Sequence, residues 1–389
     1  MSPPPRLRIA VLNRIFETTG GGAERYSIAL VEQLAQRHEV HVFAQQIKHD
    51  FPGVTYHKVP MPLRKPRWVN QLWYAWATWR ATRSGFDIVH SHENTWHGQV
   101  QTVHVLPVKH NLFHGRTGFK RAMRWLKVIT SPRLLAYLWL ERMRFAARPD
   151  RRVVVTSASL GATMAATYPA SMAITSIITP GVHLPDAASD VEKSAAREQL
   201  ALPASGSCLL FVGNDYKKKG LDTLLQAMPS LLDDVVLAVV GSAASIPAYA
   251  RQAEAAGIGK RVFFLGALPD VMLAYRAADA LVHPTLEDTF AMVVLEAMAH
   301  GLPVVVSSAG YCGISGLLSA GQNALILQDP RDVAQLARVL NQLLADAHLQ
   351  QQLGAQARQF ASPYQWADIA RQQEAVYFSA LILNEGPAQ

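Results

Sequence analysis

Cysteine is nearly absent: Cys208 and Cys312 are the only two in 389 residues. Neither belongs to a CxxC pair or a His/Cys cluster, which excludes a disulfide framework and a structural zinc site and suits a reducing cytosol. Both read as small core residues. Long apolar runs are missing as well. The nearest candidate, Val235–Ala250, is interrupted by Gly241, Ser242 and Pro247, so no membrane-crossing helix is expected. The opening residues, MSPPPRLRIAVLN, hold no apolar stretch of signal-peptide length, and Ile9–Leu12 reads as a strand. No GxGxxG follows a candidate strand, which counts against a nicotinamide enzyme. No DxD pair occurs, which argues against a donor bridged by a metal ion. Acidic residues number 29 against 37 Lys and Arg, a net charge of +8, so an acidic partner is expected.

What the chain does have is an alternation of short β-branched runs with longer amphipathic segments. Half of its residues are apolar, enough for two cores, and its length suits two domains. Candidate strands are Arg8–Asn13, Glu39–Ala44, Val54–Val59, Asp87–His92, Gln101–Leu106 and Val153–Ser157. A second series follows at Cys208–Val212, Val235–Val240, Val262–Leu265, Ala280–His283, Pro303–Ser307 and Ala324–Leu327. Helical patterns lie between them, notably Ala23–Ala35, Phe119–Ala146, Leu221–Leu232 and Ala291–His300. Apolar strands alternating with helices predict an α/β chain of two doubly wound, Rossmann-like domains. The turn-rich TPGVHLP at Thr179–Pro185 reads as the linker. The predicted domains are residues 1–180 and 181–363, with a last helix, 364–385, returning to the first.

Four stretches carry chemistry. His283–Val306, HPTLEDTFAMVVLEAMAHGLPVVV, runs from a strand end through a polar loop into a helix and another strand. The helix is expected to start near Thr289, Phe290 and Ala291, whose amides would lack intrahelical partners and suit a diphosphate. Glu296 sits among apolar neighbours, and a ribose could satisfy both its oxygens; a solvated position is the plain alternative. Asp288, eight residues earlier, is equally an ordinary helix N-cap residue. The second stretch, FVGNDYKKKGLDTLL at Phe211–Leu225, leads from a strand through Gly213 to three lysines. Such cations can neutralise a diphosphate leaving group, although a lysine run is more often a solvated face. The third is TTGGGAER at Thr18–Arg25, where glycines allow positive φ and close approach of a ligand, or merely a flexible turn. The fourth is QTVHV at Gln101–Val105, whose His104 ends a strand and could equally be a core histidine.

Together these stretches resemble the family-four retaining glycosyltransferases of GT-B fold, over nearly the whole chain. Asp288 and Glu296, with PT…F…VVLEAMAHGLPVV around them, match the family's E-x7-E motif, with Asp where the first Glu usually stands. The form GNDYKKKG is similar to the lipopolysaccharide-core glucosyltransferase branch. The resemblance implies two domains facing across a cleft, with the nucleotide sugar on the C-terminal one. It assigns Glu296 to the donor ribose and Asp288 to the donor sugar, with adjacent Glu287 a weaker candidate. It assigns Lys218 and Lys219 to the diphosphate, with Gly213, Thr289, Phe290 and Ala291 beside it. Gly21 and Gly22 face the donor phosphate and acceptor, and His104 helps position the sugar. As catalytic residues it implies Asp288, His104 and Lys219. It further implies retention of anomeric configuration, a UDP-sugar donor, and no cofactor or metal. A GT-B epimerase and a non-catalytic sugar-nucleotide binder remain alternatives.

The positive charge is concentrated. From Lys109 to Arg152 twelve basic residues face only Glu141 and Asp150, with Phe113, Phe119, Trp125, Tyr137, Trp139 and Phe145 interleaved. That mixture suits an anionic membrane surface; the alternative is a solvated face over core aromatics. Nucleic acid is disfavoured, since no nucleic-acid motif accompanies the charge. The expected acceptor is therefore a lipid-linked glycan such as lipopolysaccharide core. The expected location is peripheral, on the cytoplasmic face of the membrane.

Overall fold

A computed structural model describes residues 5–17 and 21–382. Thr18, Thr19 and Gly20 of the glycine stretch, and residues 383–385 of the anticipated last helix, lie outside the described residues. The chain forms two compact units. One runs through Gly181 and resumes at Trp366; the other is Val182–Gln365.

Each unit is built on one all-parallel sheet. In the first the strand order is Val54–Lys58, Glu39–Ala44, Arg8–Leu12, Ile88–Ser91, Val100–Val103, Arg152–Val155, Thr175–Ile177. A separate parallel pair joins Ile15–Glu17 to Gln46–Lys48. In the second the order is Val262–Gly266, Val236–Gly241, Cys208–Gly213, Ala280–His283, Val304–Ser307, Leu325–Leu327. Both are the doubly wound α/β units expected.

The second sheet shows why its strands read as continuous apolar runs. Cys208, Leu210 and Val212 enter one core, while Leu209 and Phe211 enter the other. Val236, Ala238 and Val240 likewise alternate with Leu237 and Val239. Side chains of period two fill layers on both faces, so no position is left for a polar residue. Each fully buried Leu contributes roughly 1.5–3 kcal/mol. Cys208 and Cys312 are buried free thiols, as small core residues should be.

Three expectations need correction. The single helix Phe119–Ala146 is two, Gly118–Ile129 and Pro132–Arg144. Pro132 cannot continue a helix but suits a first position, and the Ser131 side chain accepts from Leu134 N. Leu221–Leu232 stops as α-helix at Ala227 and tightens into a 3₁₀ turn over Met228–Ser230, at Pro229. The helix Arg67–Thr82 was not anticipated. Its tryptophans and tyrosine fall on several faces and blur the period.

The last helix, Trp366–Ile382, belongs to the first unit although Gly181 precedes it by most of a domain. Glu374 accepts hydrogen bonds from Arg37 Nε at 2.8 Å and pairs with His38 Nε2 at 3.0 Å. Arg152 donates to Ser379 O at 2.6 Å and to its Oγ at 3.1 Å. A Cβ on Gly181 would lie 2.7 Å from the Trp366 ring, so the chain can leave the unit here only as glycine.

Candidate functional site

The second sheet reverses its direction of growth between Cys208–Gly213 and Ala280–His283: later strands add outward on either side of this pair. Ligands of open parallel sheets bind beyond the strand ends at such a reversal. The two loops that leave these neighbouring strands carry the lysines and the acidic pair.

The loops are locked together by backbone. Leu286 N donates to Lys218 O at 2.8 Å, and Thr285 Oγ1 to the same oxygen at 3.2 Å. Gly220 has φ +81°, and a Cβ there would stand 1.9 Å from Pro284 O. Gly213 serves the same closeness: its Cβ would meet Lys219 Cγ at 2.9 Å. Both glycines are needed so that Lys219 can cross the strand end.

Lys219 Nζ donates to Asp288 Oδ2 at 2.5 Å, and Lys218 Nζ to Glu287 Oε1 at 2.5 Å. The pairs are unequal. Lys218 and Glu287 keep 47% and 41% of their side-chain exposure, Lys219 and Asp288 only 22% and 15%. The outer pair contributes about 0.2–1 kcal/mol. Removing one member of the inner pair strands a largely buried charge, which costs roughly 3–5 kcal/mol.

Asp288 is fully engaged. Its Oδ1 accepts from Ala291 N at 2.8 Å and Phe290 N at 3.3 Å, and its Oδ2 also meets His283 Nε2 at 3.3 Å. Burial pushes its carboxyl up, but the His283 hydrogen bond and the Lys219 charge together hold it well below the usual carboxylate range. His283 is fully buried, and burial lowers its pKa further than Asp288 raises it. The imidazole is therefore neutral. A carboxylate only accepts, so the proton sits on Nε2. Nδ1 is left as a buried lone pair with no partner among the described residues.

This changes the helix start. The helix is Met292–Ala299, and Ala291 before it takes φ +73°. The Phe290 and Ala291 amides are not open to a ligand as expected, because the Asp288 carboxylate already accepts from them. Phe290 itself is a core side chain at 3% exposure. Thr289 stands between these residues and Asp288. Glu296 projects from the second turn, and Tyr275 OH donates to its Oε2 at 2.7 Å. Tyr275 is buried and stacks on His300. Nothing in the sequence marked Tyr275 or His283 as partners, since both reach the site through space.

The remaining candidates lie in the first unit. Gly21 caps the helix Gly22–Leu34 with φ −76°, so the anticipated positive φ is not taken there. Gly22 opens that helix. His104 follows Val100–Val103 at the sheet's edge of loops, with His92 Nδ1 2.9 Å from its Nε2. The sequence thus brings Lys218, Lys219, Glu287 and Asp288 together on adjoining loops, with Glu296 on the helix that follows. It places Gly21, Gly22 and His104 in the other unit.

Two Rossmann-like parallel sheets on one chain, the second with a cationic loop at its reversal point, define the GT-B class. Comparison with known proteins gives the kind of domain in each half. Residues 20–185 match Glycosyltransferase Family 4, and residues 192–360 match Glycosyl transferases group 1. The chain thus carries the two domains of a GT-B glycosyltransferase, in that order. A D-inositol 3-phosphate glycosyltransferase of Corynebacterium urealyticum is 31% identical over 237 residues, which is 57% of this chain and 55% of the relative. The chain spans about half the length of the curated relatives it matches. Among solved structures, WaaG, a glycosyltransferase involved in lipopolysaccharide biosynthesis, superposes with a TM-score of 0.81 at 22% identity, over 97% of this chain and 100% of that one. Anabaena Alr3699/HepE in complex with UDP-glucose gives 0.75 at 16% identity, over 96% and 100%. These last two likenesses concern the fold.

Proposed function

We propose that the protein transfers a hexose from a UDP-hexose to a lipid-linked glycan, such as lipopolysaccharide core, with retention of anomeric configuration. One observation carries the reading: two lysines and the Tyr275-anchored Glu296 at the reversal point of one parallel sheet. In the reaction the bond from the anomeric carbon to the UDP oxygen breaks, and a bond to the acceptor oxygen forms on the same face. The acceptor's proton passes to the departing diphosphate. Lys218 and Lys219 stabilise the charge that develops there, and Glu296 accepts from the ribose. Charge compensation by lysine makes a metal unnecessary, so the rate should be unchanged in excess chelator.

The test is a screen of UDP-hexoses by thermal shift and by UDP release. A donor at about 100 times its Kd should stabilise the protein by about 2.7 kcal/mol. Glu296→Ala should lower kcat/KM for the donor by about tenfold to a hundredfold, the worth of hydrogen bonds to a charged group. Isomerised hexose without transfer would identify an epimerase. Stabilisation without turnover for any acceptor would identify a binding protein. A second reading takes an inositol phosphate as acceptor, on the strength of the curated relatives' names; glycolipid and inositol 3-phosphate acceptors assayed side by side separate the two.

The lipid-linked acceptor is favoured by one surface of the first unit. The helix Gly118–Ile129 exposes Phe119, Met123, Trp125, Leu126 and Ile129, all at 45% or more. Lys120, Arg121, Arg124 and Lys127 flank them. The helix Pro132–Arg144 packs beside it and beside Arg67–Thr82, adding exposed Trp139, Trp76 and Trp79. No acidic residue occurs from Phe51 to Phe86 or from Asn94 to Leu140. Glu141, which follows, is turned inward onto Val108 N, Lys109 N and Tyr168 OH. No helix among the described residues is long and apolar enough to cross a membrane. Tryptophan with cations and no anions suits an anionic bilayer interface, where each basic residue contributes roughly 1 kcal/mol. The protein should co-sediment with phosphatidylglycerol vesicles at low salt and release at high salt. Replacing Phe119, Met123 and Leu126 by Ser should abolish sedimentation; retention by that variant would sink the assignment.

A further inference from the structure

Lys218 and Lys219 adjoin in the chain, yet their ammonium groups are held in different ways. Lys219 Nζ meets Asp288 Oδ2 at 2.5 Å, and that carboxylate is itself fastened by the Phe290 and Ala291 amides and by His283 Nε2. A largely buried ammonium with so fixed a partner keeps its place. Lys218 Nζ meets Glu287 Oε1, also at 2.5 Å, but these two side chains are 47% and 41% exposed. The backbone beneath this outer pair is tight. Thr285 Oγ1 donates to Lys218 O at 3.2 Å and accepts from Glu287 N at 3.3 Å, and Lys218 N donates to Asp215 Oδ1 at 3.0 Å. One hydroxyl thus joins the two residues. Their side chains start from fixed points, and only the charged heads can part.

A carboxylate and a diphosphate make the same demand on an ammonium group, since both are oxyanions that accept its hydrogen bonds. A diphosphate held at Lys219 also comes close to Glu287, whose carbonyl oxygen is 3.4 Å from Lys219 Nζ. Neighbouring like charges repel. An exposed ion pair is weak, because water solvates both partners when they separate. The flexible lysine stem can then turn from one oxyanion to the other. Lys219 cannot do so without stranding Asp288.

We infer that Glu287 competes with the diphosphate for Lys218 and thereby sets how tightly the product is held. Lys219 is the fixed cation of the pair and Lys218 the exchangeable one. Glu287 holds Lys218 between turnovers, yields it to the phosphates, and takes it back as the nucleoside diphosphate leaves. The exchange involves no covalent step and lies wholly within the second unit. It rests on the reaction proposed above for the identity of the ligand, and it gives Glu287 a role other than contact with the sugar.

Calorimetry and stopped-flow binding of UDP and of inorganic pyrophosphate to the full-length chain test it. Glu287→Gln keeps the side chain's length and removes its charge. The Kd for both probes should fall about threefold to tenfold, mostly through slower dissociation. In a Lys218→Gln background the same substitution should tighten binding less. An equal gain in both backgrounds would mean repulsion alone and would overturn the competition. Unchanged or weaker UDP binding in Glu287→Gln would also overturn it. If in addition UDP-glucose bound more weakly while UDP did not, Glu287 would be a sugar ligand. Wild type that binds pyrophosphate but not UDP would fault the proposed donor, and the competition would still be read with pyrophosphate. Wild type that binds neither would remove both. Equal Tm in the variants and wild type checks that all are folded.

Discussion

Asp288→Asn should destabilise the protein by about 3–5 kcal/mol in urea denaturation, because it strands a charge that is mostly enclosed. Lys219 retains 22% side-chain exposure and has Asp288 as its anionic partner; Glu287 offers it only a backbone carbonyl, at 3.4 Å. The amide also faces His283 Nε2, whose proton needs an acceptor, and must still serve the Phe290 and Ala291 amides. One carbonyl oxygen cannot replace two carboxylate oxygens that accept four bonds. The pH dependence is a second check. The folded-state pKa of Asp288 is depressed, so its contribution is present above the unfolded value, near 3.9, and is lost as pH falls below it. The gap between wild type and variant should therefore be full at neutral pH and narrow below about pH 4. A gap under about 1 kcal/mol at pH 7 would show that Lys219 finds solvent instead. Asp288→Glu should not restore a better site. The added methylene drives the carboxylate into His283 or off the amides, an overpacking of roughly 1–3 kcal/mol.

Asp288 also shows how far the sequence could be read. Its spacing from Glu296 marked the right helix, and the alternation of strands marked the right sheet. Cys208–Gly213 and Ala280–His283 were visible because a doubly covered strand must be apolar on both faces. What the sequence could not supply was partners through space. His283 looked like the end of a strand, and nothing around Tyr275 pointed to Glu296. A carboxylate at an N-cap and one that clasps a lysine have the same spelling; here Asp288 clasps Lys219 and takes the Phe290 and Ala291 amides, while Ala291 holds the N-cap position. The Phe290 and Ala291 amides were expected to be open for the same reason: the residue consuming them was expected to reach toward a sugar. Helix boundaries failed where a single residue decides. Pro132 was enough to divide the basic segment, although the hydrophobic period runs on across it. Three-residue strands such as Ile15–Glu17 and Thr175–Ile177 are too short to show any period.

Gly220→Ala is the second large effect. Two penalties meet at this residue and can be measured apart. The first is conformational: φ is +81°, a region where a Cβ costs roughly 1–2 kcal/mol. The second is steric, since the added carbon would stand 1.9 Å from Pro284 O, and a backbone carbonyl in a tethered loop cannot swing away as a side chain would. Gly257 provides the control. It has φ +73° with nothing within 4 Å of its Cβ, so Gly257→Ala carries the conformational penalty alone. The expected result is a loss of about 1 kcal/mol for Gly257→Ala and at least about 3 kcal/mol for Gly220→Ala. Equal losses would mean that the two loops separate freely. If they separate, Lys218 O loses its bonds from Leu286 and Thr285, and Lys219 moves off Asp288. Donor affinity should then fall in Gly220→Ala and stay unchanged in Gly257→Ala, when both are assayed at a temperature where each is folded. The closeness of the two loops is therefore part of the site: it sets the lysine ammonium groups beside the strand ends before any donor arrives, and the glycine is what lets the two backbones touch.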